Sequence, residues 1–295
     1  MTTKLLKGAI AIAIGLGITG SAYAGAGDSP VLKRIAERGV INIGHRETSI
    51  PFSYIGSDEK PIGYSIDICM NIVDEVRKEL GKPGIKVKFV PVMGQTRIAL
   101  MANGTIDIEC GSTTNNLTRQ KQVSYLPTTF ITGTKIAVRK GSGIKKVEDL
   151  EGKIIGLSMG TTNERAIKAY IKEKGLNVKV TEVKDHSQGW LAMETKRIDA
   201  YGSDDVLLYG LISKAKNSDG YEVVGPFLSF DPYGIMVPRN DSTYQRLGTL
   251  VLARLMRTGE LHKIYNKWFS PGPTKINMPM SATLKMAFEI QALPN

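Results

Sequence analysis

The sequence predicts an α/β protein in two lobes, each a mainly parallel sheet flanked by helices, joined by two hinge crossovers. Short β-type runs alternate with helical periods along the chain. The alternation restarts after Phe130, and a late strand near Tyr233 returns toward the first unit. Size agrees, because the roughly 270 residues left after an N-terminal leader exceed what one core usually serves.

The elements follow in order. Lys4 and Lys7 precede an apolar run from Gly8 to Thr19, and Ala22-Tyr23-Ala24 supplies small residues for cleavage. Residues 1–24 therefore read as a secretory signal peptide, removed near Ala24 and too short to span a bilayer. No second long apolar segment follows, and Cys69 lies far from the cleavage point, so neither a membrane span nor a lipid anchor is indicated.

A first lobe is expected over 25–130. Val31 to Arg38 reads as a helix stopped by Gly39, and Val40 to Ile43 as a strand. Pro51-Phe52-Ser53-Tyr54 and Gly63-Tyr64-Ser65-Ile66-Asp67 flank a turn. Ile68, Ile72, Val73, Val76 and Leu80 recur at helical spacing before Gly81 and Pro83. Ile85 to Val90 is a strand, Thr96 to Asn103 a helix and Thr105 to Cys110 a strand.

The second lobe is expected over 131–232. Strands at Lys135–Val138, Ile154–Leu157, Lys179–Val183 and Ala200–Gly202 alternate with helices at Val147–Leu150, Asn163–Glu173, Gln188–Thr195 and Asp205–Ile212. Residues 233–295 return to the first lobe through a strand at Tyr233–Val237 and helices at Gln245–Arg257 and Glu260–Trp268. A weakly periodic extension, Pro271 to Asn295, docks on the surface. The crossovers fall near 129–134 and 230–236.

Thirty-nine basic residues against 28 acidic give a net charge of +11, and the leader removes only two of the basic ones. The charges are dispersed, no long basic tract with interleaved aromatics occurs, and export argues against nucleic acid. Anionic small molecules or an anionic membrane surface suit the balance better. Cys69 and Cys110 are either paired in an oxidising compartment or two buried small side chains, and their spacing decides neither.

Chemistry-bearing residues collect just past strands, where open α/β sheets take their ligands. Gly111 to Arg119 sets hydroxyls, amides and a guanidinium, including Ser112, Thr114 and Arg119, after an apolar strand. Arg46 and Arg97 hold similar positions, and three such arginines suit a guest with more than one carboxylate. Gly160-Thr161-Thr162 opens a helix whose free N–H groups attract anions, with ordinary capping by Thr162 or Asn163 as the plainer use. His186 offers a hydrogen-bonding or partly protonated imidazole. Asp204 offers a carboxylate to a cation, while Asp205 serves the helix dipole.

Gly156-Leu157-Ser158-Met159-Gly160 matches a nucleophile elbow, which makes a serine hydrolase acting through Ser158 a minor alternative. It lacks an upstream oxyanion loop and a suitably placed acid–histidine pair. Three histidines and two cysteines without short spacing give no metal site, and no phosphate or dinucleotide fingerprint occurs in the mature chain. No cofactor is expected.

The order Pro51-Phe52-Ser53-Tyr54, Gly63-Tyr64-Ser65-Ile66-Asp67, Gly111-Ser112-Thr113-Thr114 with Arg119, Gly160-Thr161-Thr162, Asp204, Tyr233-Gly234-Ile235 and Ile264-Tyr265-Asn266-Lys267-Trp268-Phe269 resembles the extracytoplasmic solute-binding proteins of polar amino acid ABC transporters. Gly44-His45-Arg46-Glu47 and Glu109 to Asn116 most resemble the glutamate/aspartate-binding branch. The resemblance covers essentially the whole mature chain. It implies a type II periplasmic-binding-protein-like fold, a periplasmic monomer, and delivery of glutamate or aspartate to a membrane permease.

By match, Arg119 would clamp the α-carboxylate with Thr114, and Ser112 and Asp204 would meet the ammonium. Arg46, Arg97 and His186 would hold the side-chain carboxylate, with Thr161 and Thr162 contributing from the second lobe. Where this branch is expected to carry a serine shortly before Arg97, the chain has Gly94, so a backbone or water contact would replace that hydroxyl. An exported enzyme on the same scaffold, of the cyclohexadienyl dehydratase type, is the main alternative. It would need a general acid or base set against its substrate.

Overall fold

The computed structural model describes residues 28–271 and 274–294. The expected leader lies outside them, and no described helix is long and apolar enough to cross a membrane. Along the chain come α1 (Pro30–Arg38), β1 (Val40–His45), a small ribbon of β2 (Thr48–Ser49), β3 (Ser53–Ile55) and β4 (Pro61–Ile62), α2 (Tyr64–Glu79) and β5 (Lys86–Pro91). Then follow α3 (Arg97–Ala102), β6 (Ile108–Cys110), α4 (Leu117–Gln120) and β7 (Val123–Thr132). The second unit holds β8 (Thr134–Arg139), β9 (Ile154–Ser158), α5 (Thr162–Lys174), β10 (Lys179–Val183), α6 (His186–Glu194), β11 (Ala200–Asp204), α7 (Asp205–Lys214) and β12 (Tyr221–Val224). The return comprises β13 (Asp231–Pro238), α8 (Ser242–Arg257), α9 (Glu260–Phe269) and α10 (Ala282–Gln291).

Two five-stranded sheets result, ordered β5-β1-β6-β13-β7 and β10-β9-β11-β8-β12. In each, three neighbouring strands are parallel, namely β5, β1 and β6 in lobe 1 and β10, β9 and β11 in lobe 2. The other two strands of each sheet join antiparallel. Antiparallel pairing follows from the connections. Only Gly133 separates β7 from β8, and residues 225–230 separate β12 from β13, so the chain leaves one sheet and enters the other with no helix between. The crossovers touch: a Cβ on Gly133 would lie 2.2 Å from the Ser229 carbonyl oxygen, so this position admits glycine only.

An aromatic cluster locks the lobe 1 core. Phe52 packs edge-on against Tyr64, Phe130, Tyr233 and Phe269 at 4.9–6.0 Å, and Phe130 stacks on Phe269 at 4.9 Å. Each fully buried ring contributes about 1.5–3 kcal/mol, and favourable ring geometry adds to that. Phe130 and Tyr233 belong to the strands that adjoin the crossovers, so this core fixes the lobe 1 end of the hinge. Cys69 of α2 and Cys110 of β6 are joined, with Cα atoms 6.2 Å apart and a sequence separation of 41.

Among the elements that go beyond the sequence expectation, β7, β12 and α10 bear most on the packing of the two sheets. β7 runs through Pro127, a residue that argues against a strand, and the pairing with β13 shifts register on either side of Gly234, which is how a proline is admitted. β12 is a short, half-buried edge strand. Within the extension, Ser281 caps α10, Leu284 and Phe288 bury its inner face, and Gln291 Oε1 accepts from the Thr128 N–H of β7 at 2.7 Å.

Closing a loop of this length restricts the unfolded chain by about 4 kcal/mol in the chain-entropy account. Reduction, or the Cys69→Ser/Cys110→Ser double variant, is expected to lower the urea midpoint by a comparable free energy. Alkylation in denaturant without reductant should add no mass to the mature chain, and gain of two alkyl groups would show that the thiols are free.

Candidate functional site

Parallel strands present their C-terminal ends to one side of a sheet, and in both lobes that side faces the other lobe. Arg46 directly follows β1, Arg97 opens α3, and Ser112 to Thr114 follow β6. From lobe 2, Thr161 caps α5, His186 opens α6 and Asp204 precedes α7, so three helix N-termini converge there. The α5 cap is Thr161, whose Oγ1 accepts from the Glu164 N–H, rather than Thr162 or Asn163 as expected.

A narrow cavity of about 10 Å³ lies between the lobes, bordered by Arg46, Arg97, Ser112, Thr114, Thr161, Thr162, His186 and Asp204, together with Asn163 and Leu207. Every residue anticipated from the sequence borders it except Arg119. That guanidinium sits beside it, donating to the Thr114 carbonyl at 2.8 Å and, across the cleft, to the Gly160 carbonyl at 3.3 Å. Thr114 and Thr162 bring their hydroxyls to 3.2 Å, a second bond between lobes. Larger surface grooves contain none of these residues. Among the described residues no cluster of histidine, cysteine and carboxylate side chains could hold a metal.

The electrostatics are uneven along the cavity. Arg46 is 2% exposed, and its backbone is pinned by Ser53, whose Oγ accepts from the Arg46 N–H at 2.9 Å and donates to its carbonyl at 3.1 Å. Burial and then the neighbouring Arg97 lower its pKa to about 10, so it remains a cation at neutral pH. Arg119 is lowered to about 10 by the same causes in the same order. Arg97 Nη1 donates to the Ser112 carbonyl at 3.3 Å and to Thr113 Oγ1 at 2.5 Å. Thr113 in turn donates to Glu109 Oε2 at 2.8 Å. Arg97 Nε and Glu109 Oε1 have no hydrogen-bond partner among the described residues.

His186 is fully buried, and its Nδ1 meets the Tyr201 hydroxyl at 2.9 Å, which meets Ser158 Oγ at 2.7 Å. Burial first, then Arg46 and Arg97, push its pKa well below the ordinary value. Of the two states expected from sequence, the neutral hydrogen-bonding ring is the one this environment favours. Asp185 caps α6 and also accepts from Ser187, so it gives His186 no acid partner and Ser158 no catalytic relay.

At the other end Asp204 accepts from Asn163 Nδ2 at 2.9 Å and from the Tyr233 hydroxyl. Burial and the nearby Asp231 raise its pKa to about 7 despite those bonds. Asp205 instead opens α7, accepting from the Val206 N–H and the Thr132 hydroxyl. Glu109, Asn163 and Tyr233 are participants that the sequence reading did not assign to the site. Glu109 and Tyr233 lie inside apolar strand patterns, and only the position of Asn163 directly after the threonine pair was a usable signal.

A carboxyl whose pKa is higher folded than unfolded opposes folding above its unfolded value near 4, and does so fully once the pH exceeds about 7. That span corresponds to at most ~4 kcal/mol. Asp204→Asn is therefore expected to raise the melting temperature at pH 8, with a gain that shrinks at pH 5. A gain equal at both pH values would contradict the buried-carboxylate account.

The sequence profile of the bacterial extracellular solute-binding proteins, family 3, matches residues 41–271. The chain is 44% identical over 259 residues to an L-glutamate/L-aspartate-binding protein of Pseudomonas aeruginosa, covering 86% of each. It is 39% identical over 285 residues to the glutamate/aspartate import solute-binding protein of Escherichia coli, covering 95% of this chain and 94% of the other. Among solved structures, an ancestral arginine-binding protein bound to glutamine aligns with a TM-score of 0.70 at 30% identity, over 79% of this chain and 98% of that one.

Proposed function

Because the chain belongs to the bacterial extracellular solute-binding proteins of family 3, we propose that it binds glutamate or aspartate between its lobes and delivers it to the permease of an ABC importer. The observation that carries this reading is one cavity bordered by Arg46 and Arg97 at one end and Asp204 at the other. A dicarboxylic amino acid brings two anions and one cation. With Arg119 and Glu109, the site sets three guanidinium groups against two carboxylates, leaving a positive excess that suits a ligand of net negative charge.

Arg119 clamps the α-carboxylate with the amide and hydroxyl of Thr114. Two carbonyls take one N–H each in the closed cleft, which leaves the other donors of the fork for the ligand. Asp204 faces the ammonium, assisted by Ser112, and the approach of that cation restores its charge. Arg46, Arg97 and His186 hold the second carboxylate, while Thr161 and Thr162 add donors at the α5 start. Ser158 donating to Tyr201, and Tyr201 to His186 Nδ1, leaves the other ring nitrogen as the donor toward that anion.

The protein works in the periplasm, and removal of its leader near Ala24 belongs to this reading. Both cleft walls come from one chain, so a monomer suffices. The relatives spanning most of the chain are binding proteins, which supports transport without catalysis. Against a dehydratase-type enzyme, His186 and Asp204 are engaged as a hydrogen-bonding and a charge partner, with no free acid–base pair between them.

Calorimetric titration of the mature protein with glutamate, aspartate, glutamine and arginine tests the assignment. Glutamine would leave a buried guanidinium unmatched, at a cost of about 2 kcal/mol or more, so it is expected to bind at least tenfold more weakly than the preferred acid. Absence of heat with both acidic amino acids defeats the reading. Arg119→Lys keeps the charge and loses the planar fork, so affinity should fall by about tenfold or more. Unchanged affinity would remove bidentate clamping from the account.

A further inference from the structure

Behind the guanidinium groups of Arg46 and Arg97 lies a carboxylate that does not border the cavity. Glu109 is wholly buried on β6. A Cβ on Gly111 would stand 2.2 Å from Glu109 Oε1 and 3.0 Å from Arg46 Cγ, so the chain gives up a side chain at 111 to admit this carboxylate beside the Arg46 stem. The same Oε1 lies 4.0 Å from Arg97 Nη1. Burying a carboxylate is costly unless opposite charges offset it, and these two guanidinium groups are the charges at hand.

The pairing with Arg97 is made at one remove. Thr113 Oγ1 accepts from Arg97 Nη1 and donates to Glu109 Oε2 at 2.8 Å, so a hydroxyl stands where a direct hydrogen-bonded salt bridge would otherwise form. Arg97 Nε and Glu109 Oε1 are left without hydrogen-bond partners among the described residues. A direct bidentate pair would use up the donor fork of Arg97 within the protein. The relayed pair balances charge and leaves donors for an anion in the cavity. Burial, Arg46 and Arg97 hold His186 neutral, so this end of the site carries two guanidinium cations against one fixed anion.

We propose that Glu109 sets the charge of the subsite for the second carboxylate, so that the site accepts a side chain bearing one negative charge and rejects one bearing two. It is a specificity-determining residue that touches no ligand. A monoanionic group meets a net single positive charge and is matched, whereas a dianion leaves one negative charge uncompensated in a water-poor cleft, facing the fixed anion of Glu109. The proposal rests on the acidic amino acid reading and adds to it the charge class of the side-chain group.

The sulfonate and phosphonate analogues of the preferred acid separate charge from shape. Both groups are tetrahedral with three oxygens, and at pH 8 the phosphonate carries mostly two charges where the sulfonate carries one. Calorimetric titration of the mature protein is expected to show the sulfonate binding at least tenfold more tightly than the phosphonate. Glu109→Gln removes the fixed anion and should cut that ratio at least tenfold. Thr113→Val breaks the hydroxyl relay and keeps the charge, so it should weaken both ligands together and leave the ratio unchanged. An unaltered ratio in Glu109→Gln, no phosphonate binding to that variant, or an equal change in Thr113→Val overturns the proposal.

The unaltered protein supplies a second readout, which stands even where Glu109→Gln fails to fold. A dianion that must be reduced to one charge enters with a proton, carried on the phosphonate or on His186, the groups facing the subsite being otherwise Arg46, Arg97 and Arg119. The sulfonate-to-phosphonate affinity ratio should therefore rise about tenfold between pH 8 and pH 9. Asp204 meets the ammonium of both ligands alike and cancels from that ratio. If the unaltered protein binds neither glutamate nor aspartate, the functional reading fails and the proposal falls with it. Binding of either acid together with a ratio independent of pH overturns the proposal alone.

Discussion

Keeping two guanidinium groups buried side by side is the constraint on which the rest of this structure depends. Arg46 and Arg97 repel one another in a water-poor cleft, and that repulsion adds to the cost of burial in bringing Arg46 down to about 10. Arg46 nevertheless keeps its charge at neutral pH. Ser53 grips the backbone of Arg46 on both sides, and Thr113 relays Arg97 to Glu109 beneath it. The disulfide from α2 holds β6, the strand that carries Glu109 and leads into Ser112 to Thr114. The buried cations are held by a frame built from the protein's own groups, which is the kind of arrangement that preorganised recognition requires.

The opposite end of the cavity is built from the hinge. Tyr233 has its ring in the aromatic core of lobe 1 and its hydroxyl on Asp204 of lobe 2. Asn163 bridges Asp204 to Thr134, and Ser229 bonds Thr134 and Asp231, so residues of both crossovers share one polar network with that carboxylate. A change of charge at Asp204 is felt where the chain bends. The two parts of the site therefore differ in kind, one a cationic wall within lobe 1 and the other a polar junction between the lobes.

Much of this was legible in sequence because ligand chemistry at strand ends is a local pattern. Arg46, Arg97, Thr161, His186 and Asp204 each stand where a β-run gives way to a turn or helix, and their gathering follows from parallel strands sharing a direction. Glu109 was hidden because a carboxylate inside an apolar strand looks like an interruption until its partners, Thr113 and Arg97, fold over it. Tyr233 read as core and is core; only its hydroxyl belongs to the site. β7 was obscured by Pro127, and its bulged pairing with β13 depends on residues far along the chain. The pairing of Cys69 with Cys110 likewise depended on three-dimensional proximity that spacing does not encode.

The place of β13 has a consequence for biogenesis. It lies between β6 and β7 in the first sheet, although more than 90 residues follow β7 before it begins. Until that segment is available β7 has no neighbour in its own sheet, and α8 and α9, which close the lobe 1 core, come later still. Such non-local pairing folds slowly. The lobe that carries the cationic wall therefore cannot be completed until most of the polypeptide is available.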